Sequence, residues 1–178
     1  MIEKISANGQ LNQPPLQQQS QPAEQALASY SAQLTRLTIE HTLITHPELH
    51  TPPEVQAHLG ITSSDGFSTL IMKAGDQFLA FIRRDDFKTD FKKIKQALGI
   101  KNVRMATPEE FIDVTGMPPG AARAYNPNLP TYIDPKIFEK EYLMGGTGSF
   151  TCSIKYKTAD LRKIPDSQIL DISKSDQQ

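Results

Sequence analysis

The spacing of apolar side chains along the chain predicts several short helices. Over residues 22–37 the apolar positions recur three or four apart, which is typical of one face of an amphipathic helix. A second helical face lies within residues 89–98, and Gly99 follows it as a C-terminal cap. At Thr51 and at Thr107, a threonine followed by proline and then glutamate predicts a capped helix start.

Strands are predicted where short apolar or β-branched runs are bounded by turn residues. Residues 67–72 and 78–82 are two such runs, and the Lys-Ala-Gly-Asp-Gln segment between them predicts a hairpin. The other predicted strands are residues 41–45, 103–106, 131–134, 142–144 and 150–156. Hairpins recur and no regular strand–helix–strand rhythm is present. The pattern therefore favours a mixed or antiparallel sheet with helices packed outside over a doubly wound parallel sheet.

The two ends of the chain are more polar than its middle. The first 25 residues contain seven glutamines and two adjacent prolines, so residues 1–22 are predicted to form a flexible Gln-rich tail. Residues 171–178 are predicted to be a frayed C-terminus. Residues 23–170 then form one domain, which suits a chain of 178 residues.

Composition excludes several classes of protein. With 19 basic and 20 acidic residues the net charge is −1, which gives no whole-chain argument for a nucleic-acid or membrane partner. No apolar run approaches the roughly 18 residues of a membrane span. The start MIEKISANGQ lacks a secretory signal, and the only cysteine, Cys152, cannot close an intrachain disulfide. We therefore expect a soluble protein in a reducing, cytoplasmic setting.

Positive charge is concentrated in one stretch of the chain. Between Arg83 and Arg104 there are eight basic residues and three acidic ones. The lysines of the predicted helix there, Lys92, Lys93 and Lys95, are candidates for contacts with the phosphates of a polynucleotide. The alternative interpretation is a solvated helix face.

The histidines and the cysteine have ordinary interpretations beside the chemical ones. His46 and His50 are four residues apart and flank Glu48, a spacing that suggests a metal site on a helix. Pro47 argues against such a helix, so His46 is interpreted as a pocket residue at the end of a strand. Cys152 alternates with apolar neighbours in a predicted strand and is interpreted as a small buried group rather than a nucleophile.

Two glycine-bearing loops are candidates for binding an anion or a carbonyl oxygen, because glycine lets backbone N–H groups approach a ligand. The first loop contains Gly116 and Gly120, and the second is the Gly-Gly-Thr-Gly-Ser turn at residues 145–149. The sequence has neither a Gly-x-Ser-x-Gly elbow nor a Walker loop. These absences remove the commonest hydrolase and nucleotide-hydrolase signatures.

The order of segments from His46 to Ile164 resembles the YbaK/ProX type of aminoacyl-tRNA editing domain, which also occurs as the insertion domain of bacterial prolyl-tRNA synthetases. The most specific part is ALGIKNVRMATPEEFIDVTGMPPG, where a lysine-bearing helix, a short strand, a capped helix and a Thr-Gly loop follow the family's order. The resemblance implies a compact α+β domain with a mixed, strongly curved sheet. It also implies a trans-editing deacylase that hydrolyses the ester between a wrong amino acid and the terminal adenosine of a transfer RNA.

The resemblance further implies how such a site works and where this chain departs from it. The family uses a small pocket, backbone N–H groups of a glycine loop, a lysine, and a water assisted by the ribose hydroxyl, with no metal or cofactor. Here the place of the lysine is taken by Ser68, and the proline of the glycine loop is replaced by Ala124. Lys73 projects from the opposite face of the strand to Ser68. Arg123, in the altered loop, is a candidate replacement for the missing charge.

The candidate site residues fall into three groups on this interpretation. Candidates for catalysis are Gly120, Ser68 and Gly116. Candidates for substrate binding are His46, Thr69, Arg123, Gly146, Thr147, Gly148 and Ser149. Candidates for contact with transfer RNA are Lys92, Lys93 and Lys95. The expected partner is the aminoacylated end of a transfer RNA, with an aminoacyl-tRNA synthetase as a further candidate.

Two other hypotheses stay open because the lysine and the loop proline are absent. The chain could be a non-catalytic relative that keeps the fold and binds a small ligand, a transfer RNA or a protein. It could also be an unrelated hydrolase of small amides or esters, which would not depend on the body of the RNA.

Overall fold

The structure is a computed structural model that describes residues 16–175. Its helices are α1 (Leu16–Arg36), α2 (Pro52–Leu59), α3 (Phe91–Leu98) and α4 (Pro108–Thr115). Its strands are β1 (His41–Thr45), β2 (Phe67–Ala74), β3 (Gln77–Arg84), β4 (Val103–Met105), β5 (Thr131–Ile133), β6 (Tyr142–Gly146), β7 (Cys152–Lys157) and β8 (Ser167–Ile169). Short 3-10 segments lie at Ser63–Asp65, Pro135–Glu139 and Thr158–Lys163.

The strands form two sheets. One is antiparallel with the order β1-β7-β6, and the other has the order β4-β2-β3-β5-β8 with parallel pairing of β5 to both of its neighbours. A parallel bridge between Gly66 and Met144 joins the start of β2 to the edge strand β6. The predicted α+β fold with a mixed sheet is confirmed. In place of one strongly curved sheet, the structure has two sheets that are joined at this bridge.

The helix boundaries follow the local capping signals. The hydroxyls of Thr51 and Thr107 each accept a backbone N–H in a complete capping box, as predicted. Helix α3 begins two residues later than its apolar pattern suggested, because the Asp90 carboxylate caps it. Gly99 and Gly116 end α3 and α4 in the left-handed conformation, with φ of 64° and 69°.

The predicted hairpin is confirmed and is longer than its apolar runs, since β2 and β3 each contain eight residues. Its register places Ser68 opposite Arg83 and Lys73 opposite Phe78. Side chains alternate between the faces of a strand, so Ser68 and Lys73 lie on opposite faces, as expected. One face of the hairpin packs towards β6 and β7, and the other packs against α3.

The largest hydrophobic core lies between the two sheets and under α1. Tyr30 and Leu34 of α1 are fully buried there, which confirms the predicted amphipathic helix. The hydroxyl of Tyr30 hydrogen-bonds the hydroxyl of Tyr156 on β7 at 2.6 Å. A second cluster, around Ile94 of α3, covers the opposite face of the hairpin.

The N-terminal helix is longer than its apolar pattern predicted. It begins at Leu16 rather than near Pro22, so residues 16–22 of the predicted tail are helical. The remainder of that tail, residues 1–15, lies outside the described residues. The expected domain boundary at residue 23 therefore falls within a helix.

The predicted fraying of the C-terminus is wrong for its first residues. Ile172 is fully buried, and its N–H donates to the Asp134 carboxylate at 2.9 Å. Ser173 pairs with Thr89 in an antiparallel bridge. Strand β8, which precedes this segment, was not predicted, because Ile169 is the only apolar residue among its three and no apolar or β-branched run marks it. Residues 176–178 lie outside the described part of the chain.

None of the helices in residues 16–175 is both long enough and apolar enough to cross a lipid bilayer.

Candidate active site

A cavity of about 320 Å³ opens where the two sheets separate. Its walls come from β2, α2, α4, β6 and the loop that follows α4. Each wall contributes at least one lining residue, and these are Thr69, Val55, Phe111, Gly146 and Ala121. The volume is at the lower end of the range for small-molecule sites, roughly 300–1,000 Å³.

The cavity uses an unpaired edge of β2. Strand β4 pairs with β2 only over residues 72–74, and β6 meets the start of β2 only at the Gly66–Met144 bridge. The part of this edge between them, at Thr69, has no paired strand within the described part of the chain. Hydrogen bonds alternate in direction along a strand. The Gly66 carbonyl accepts from Asp85 beside β3, and the Ile71 carbonyl accepts from Ala106 on the other side. By this alternation, the backbone N–H and C=O of Thr69 point to the open edge.

The hydroxyl of Thr69 is also without a partner within residues 16–175, and it is buried beside the cavity. Thr69 lines the cavity and is 7 % exposed, and its hydroxyl has no hydrogen-bond partner among the described residues. A buried hydroxyl without a partner is costly, and such groups are few in folded proteins. The open edge therefore offers the backbone N–H and carbonyl of Thr69, and the unpaired hydroxyl of the same residue is buried beside them.

His46 lies in the cavity wall directly after β1, which confirms its predicted place at a strand end. Its Nδ1 is 2.7 Å from the Pro47 carbonyl, and because a carbonyl only accepts, Nδ1 carries a proton. In the neutral ring, Nε2 then accepts from the Ser153 hydroxyl at 2.9 Å. The His46 side chain is therefore held in one tautomer and one orientation.

The suggested metal site does not form in the described part of the chain. His50 contacts the Glu48 carboxylate at 2.8 Å and packs on the ring of Phe150, with centroids 4.3 Å apart. His46 is bound instead to Pro47 and Ser153. Among residues 16–175 no group of three His, Cys, Asp or Glu side chains is arranged to hold a metal ion.

Asp85, which the sequence analysis did not single out, contributes a carboxylate to the cavity wall. It accepts a hydrogen bond from the Ser68 hydroxyl at 2.6 Å and one from the Gln56 amide at 3.3 Å. Burial raises the pKa of Asp85, and these hydrogen bonds oppose that shift only in part. Its position opposite Gly66 follows from the hairpin register, so pairing the predicted strands could have found it.

Ser68, at the position where the family has a lysine, lines the cavity through the same contact with Asp85. Gly120 also lines the cavity, with φ of 90°, a value that favours glycine. The loop after Gly120 bridges to β6 at Gly146. A Cβ at Gly146 would lie 2.6 Å from the Ala122 carbonyl oxygen, so glycine is needed for this close approach. Gly116 is the C-cap of α4 and does not line the cavity.

The side chain of Arg123 is held outside the cavity. Its Nε donates to the Thr147 carbonyl at 2.7 Å, and its guanidinium lies 4.6 Å from the centre of the Tyr30 ring on α1. These contacts join α1 to the glycine-rich turn. The suggestion that Arg123 replaces the family lysine is therefore not supported by its position.

Some residues of the glycine-rich turn line the cavity, and others hold the turn in its conformation. Gly146 and Ser149 line the cavity. Thr147 is fully buried, and its hydroxyl donates to the Cys152 carbonyl at 2.7 Å. Gly148 packs beside Met117, whose sulfur would lie 2.8 Å from an added Cβ. Thr147 and Gly148 thus shape the turn without facing the cavity.

Cys152 is 4 % exposed, which confirms the prediction of a small buried group. It forms part of the cavity wall, and burial raises the pKa of its thiol. A thiol with a raised pKa stays protonated at neutral pH, which argues against a nucleophilic role.

The three candidate lysines of α3 lie away from the cavity. Ile94 packs α3 against the hairpin face opposite Thr69. Lys93 is engaged by the C-terminal segment, since its ammonium contacts the Asp171 carboxylate at 2.8 Å and the Ser173 carbonyl at 2.7 Å. Lys92 and Lys95 are exposed.

Other basic residues between Arg83 and Arg104 form ion pairs with acidic side chains. Arg104 binds both carboxylate oxygens of Glu110 and holds the pKa of Glu110 down to about 2. Arg84 is buried against Asp86, with 2.6 Å between the charged atoms. The basic residues therefore do not form one continuous stripe in the structure.

Comparison with known proteins identifies the same stretch that carried the resemblance. The family model of the aminoacyl-tRNA editing domain matches residues 46–164. The proline–tRNA ligase of Bacillus licheniformis is 33 % identical over 93 residues, which are 52 % of this chain and 16 % of the ligase. The chain thus spans only a small part of the length of this curated relative.

Two crystal structures share the fold. That of the hypothetical protein APE2540 has a TM-score of 0.75 at 22 % identity, over 81 % of this chain and 98 % of that one. That of a proposed trans-editing enzyme for prolyl-tRNA synthetase has a TM-score of 0.73 at 18 % identity, over 84 % and 98 %. Both confirm the predicted α+β architecture.

Proposed function

The chain belongs to the aminoacyl-tRNA editing domain family, and we propose that it is a deacylase that acts in trans on a mischarged transfer RNA. The reaction is hydrolysis of the ester between the amino acid and the terminal adenosine. The observation that carries this proposal is the small cavity at the open edge of β2, where Thr69 presents polar groups without partners. Ester hydrolysis needs such donors, because negative charge develops on the carbonyl oxygen in the transition state.

We assign the binding of the ester carbonyl to Thr69. Its backbone N–H points to the open edge, its unpaired hydroxyl is buried beside that edge, and the cavity that Thr69 lines has mainly apolar walls. Donors fixed in such surroundings act more strongly than donors in water, since little solvent competes with them. Gly120 and Gly146 bring the opposite wall close enough to enclose the ester.

The volume of the cavity suits a short acyl group. The terminal adenosine would lie at the mouth, where the ring of His50 is exposed and contacts the ring of Phe150 at an interplanar angle of 45°. An aromatic surface of this kind is a common platform for a nucleic-acid base. The body of the transfer RNA would then lie outside the cavity.

The test is a deacylation assay on transfer RNAs mischarged with small amino acids, including alanine and cysteine on the proline acceptor. We expect turnover by the wild type and at least a tenfold loss in Gly146→Ala, whose new methyl group must displace the Ala122 carbonyl. Gly75→Ala is the matched control, because Gly75 has a positive φ of 61° and open space around it at the far hairpin turn. Thermal melting of each variant reports whether it is folded.

Absence of turnover for every mischarged transfer RNA, with binding of the RNA retained, would contradict the deacylase proposal. It would favour the non-catalytic binding module, a function with which Ser68 in place of the lysine is also consistent. Turnover of small aminoacyl esters without any dependence on the RNA would favour the unrelated hydrolase instead.

For the RNA we propose phosphate contacts by the exposed Lys92 and Lys95 rather than by Lys93, which the C-terminal segment engages. The double variant Lys92→Glu with Lys95→Glu should weaken RNA binding and flatten its salt dependence by about one to two in log–log slope. Lys174→Glu is the control on the same side of the molecule. Unchanged binding at low salt would contradict this assignment.

A further inference from the structure

The carboxylate of Asp85 is an unusual group for the wall of a mainly apolar cavity. It follows β3 directly, and both of its hydrogen-bond partners, the hydroxyl of Ser68 and the amide of Gln56, are neutral. The neighbouring Asp86 is neutralised differently, since two nitrogens of the Arg84 guanidinium bind its two oxygens. Of these two adjacent acids, the one that faces the cavity is the one without a hydrogen-bonded cation. The positive charge of Arg83 also acts on Asp85, and it offsets part of the rise in the pKa of that carboxyl.

This arrangement favours a cationic ligand. A carboxylate with reduced access to water is costly, and a cation that binds it recovers much of that cost. Burial raises the pKa of Asp85 for the same reason, because the charged carboxylate is less well solvated than it would be in water. Neutral donors on both oxygens keep the carboxylate in one orientation and leave it acceptor sites for a further N–H donor.

Gly66 provides the space that the carboxylate occupies. A Cβ at Gly66 would lie 2.7 Å from Oδ2 of Asp85. The backbone there is extended, with φ of −119° and ψ of 159°, so any residue could adopt it. The need for glycine at this position therefore comes from the position of the Asp85 side chain and not from backbone conformation.

We propose that Asp85 binds the α-ammonium group of the aminoacyl ester and makes the cavity selective for acyl groups with a free primary amine. This inference rests on the proposed function for the identity of its ligand. An α-amino group has a pKa of about 7.7–8.0, so it is largely protonated at neutral pH. Ser68 and Gln56 act as positioning residues, because they orient the carboxylate without touching the ammonium.

The test compares two stable ligands that differ only in the group recognised. These are the alanyl and lactoyl amides of adenosine, in which nitrogen replaces the ester oxygen and lactoyl has a hydroxyl in place of the ammonium. Calorimetry should show the alanyl amide binding about tenfold or more tightly to the wild type, the usual effect of one charge-assisted hydrogen bond. Asp85→Asn should abolish most of this difference.

Two further variants separate recognition from folding. Gly66→Ala should reduce the alanyl preference by displacing the Asp85 carboxylate while leaving the charge in place. Asp76→Asn removes an exposed aspartate from the far hairpin turn and should leave the preference unchanged. Equal binding of the two amides by the wild type would overturn the inference, as would an undiminished preference in Asp85→Asn.

Measuring the hydrolysis of alanyl and lactoyl transfer RNA tests the ammonium site and the deacylase proposal separately. Selective binding that depends on Asp85, without turnover of either substrate, would reject the deacylase and keep the ammonium site. Turnover of both substrates at equal kcat/KM, unaffected by Asp85→Asn, would keep the deacylase and reject the ammonium site.

Discussion

Two regions beside the β2–β3 hairpin differ in whether their polar groups have hydrogen-bond or ion-pair partners within the protein. The C-terminal clasp, defined here as residues 171–174, is bound to the body of the protein by hydrogen bonds and an ion pair. Ile172 donates to Asp134, and the Lys93 ammonium binds Asp171. The cavity, at the open edge of β2, retains the unpaired hydroxyl of Thr69 and the carboxylate of Asp85 with only neutral hydrogen-bond partners.

An unpaired polar atom alone does not identify a binding site. Under the clasp, Nε of Arg83 and the hydroxyl of Ser173 are also without partners among the described residues, and neither residue lines the cavity. The hydroxyl of Thr69 differs because it belongs to a residue that lines the cavity. The comparison teaches that an unsatisfied group indicates function only where a cavity accompanies it.

The largest expected effect is on the stability that the clasp provides. Ile172→Ala should lower the free energy of unfolding by about 2–5 kcal/mol, because Ile172 is a fully buried residue of the clasp and packs in the cluster around Ile94. Urea denaturation measures this loss. Ile169→Ala is the matched control: Ile169 is 48 % exposed, and its truncation should cost under about 1 kcal/mol. If Ile172→Ala left stability intact but removed the alanyl preference, the division between the two regions would be wrong.

A smaller effect in free energy, confined to catalysis, is expected at the open edge of β2. Thr69→Val keeps the shape of the side chain and removes the unpaired hydroxyl, so kcat should fall about 100-fold, or roughly 2.7 kcal/mol. The melting temperature should not fall, since no protein hydrogen bond is lost. Thr42→Val on the exposed strand β1 is the control. An unchanged kcat would remove Thr69 from the proposed carbonyl site.

The smallest effect is the pH dependence of stability due to Asp85. Burial raises its folded pKa, with a further small increase from Asp86 and opposing contributions from Ser68 and Arg83. A carboxyl group whose pKa is raised on folding binds protons more tightly in the folded state. Stability should therefore fall as pH rises from the ordinary aspartate pKa of about 3.9 to the raised value.

Asp85→Asn removes this loss, so at neutral pH the variant should be as stable as the wild type or more stable, although it loses the alanyl preference. Urea midpoints measured across the acid range test the sign. A variant that is clearly less stable at neutral pH would show that Asp85 stabilises the fold, and that its charge is already compensated within the protein.

Much of the architecture could be predicted from the sequence. The capping boxes at Thr51 and Thr107 and the C-cap at Gly99 lie where the pattern placed them. These signals act over three or four residues, so they need no information from the rest of the chain. The hairpin was found for the same reason, since its turn and alternating runs are contiguous.

The candidate site was predicted only in part. Thr69, Gly120, Gly146 and His46 do line one cavity. Arg123 does not line the cavity, because its guanidinium contacts the Tyr30 ring and the Thr147 carbonyl. These contacts join residues far apart in the sequence, so no local pattern predicts them. The lysines of α3, predicted to contact phosphates of the transfer RNA, lie on the face of the hairpin opposite Thr69, a position that depends on how α3 packs against the sheet.

The sequence by itself determined the local elements, the family, and the glycines that let backbone segments approach each other. Tertiary structure alone decided that β2 keeps an open edge, that Asp85 faces the cavity with neutral partners, and that Ile172 is buried. The physical reason is distance along the chain. Caps and turns are formed by neighbours in sequence, whereas a cavity and the charge balance of its walls depend on residues that only folding brings together.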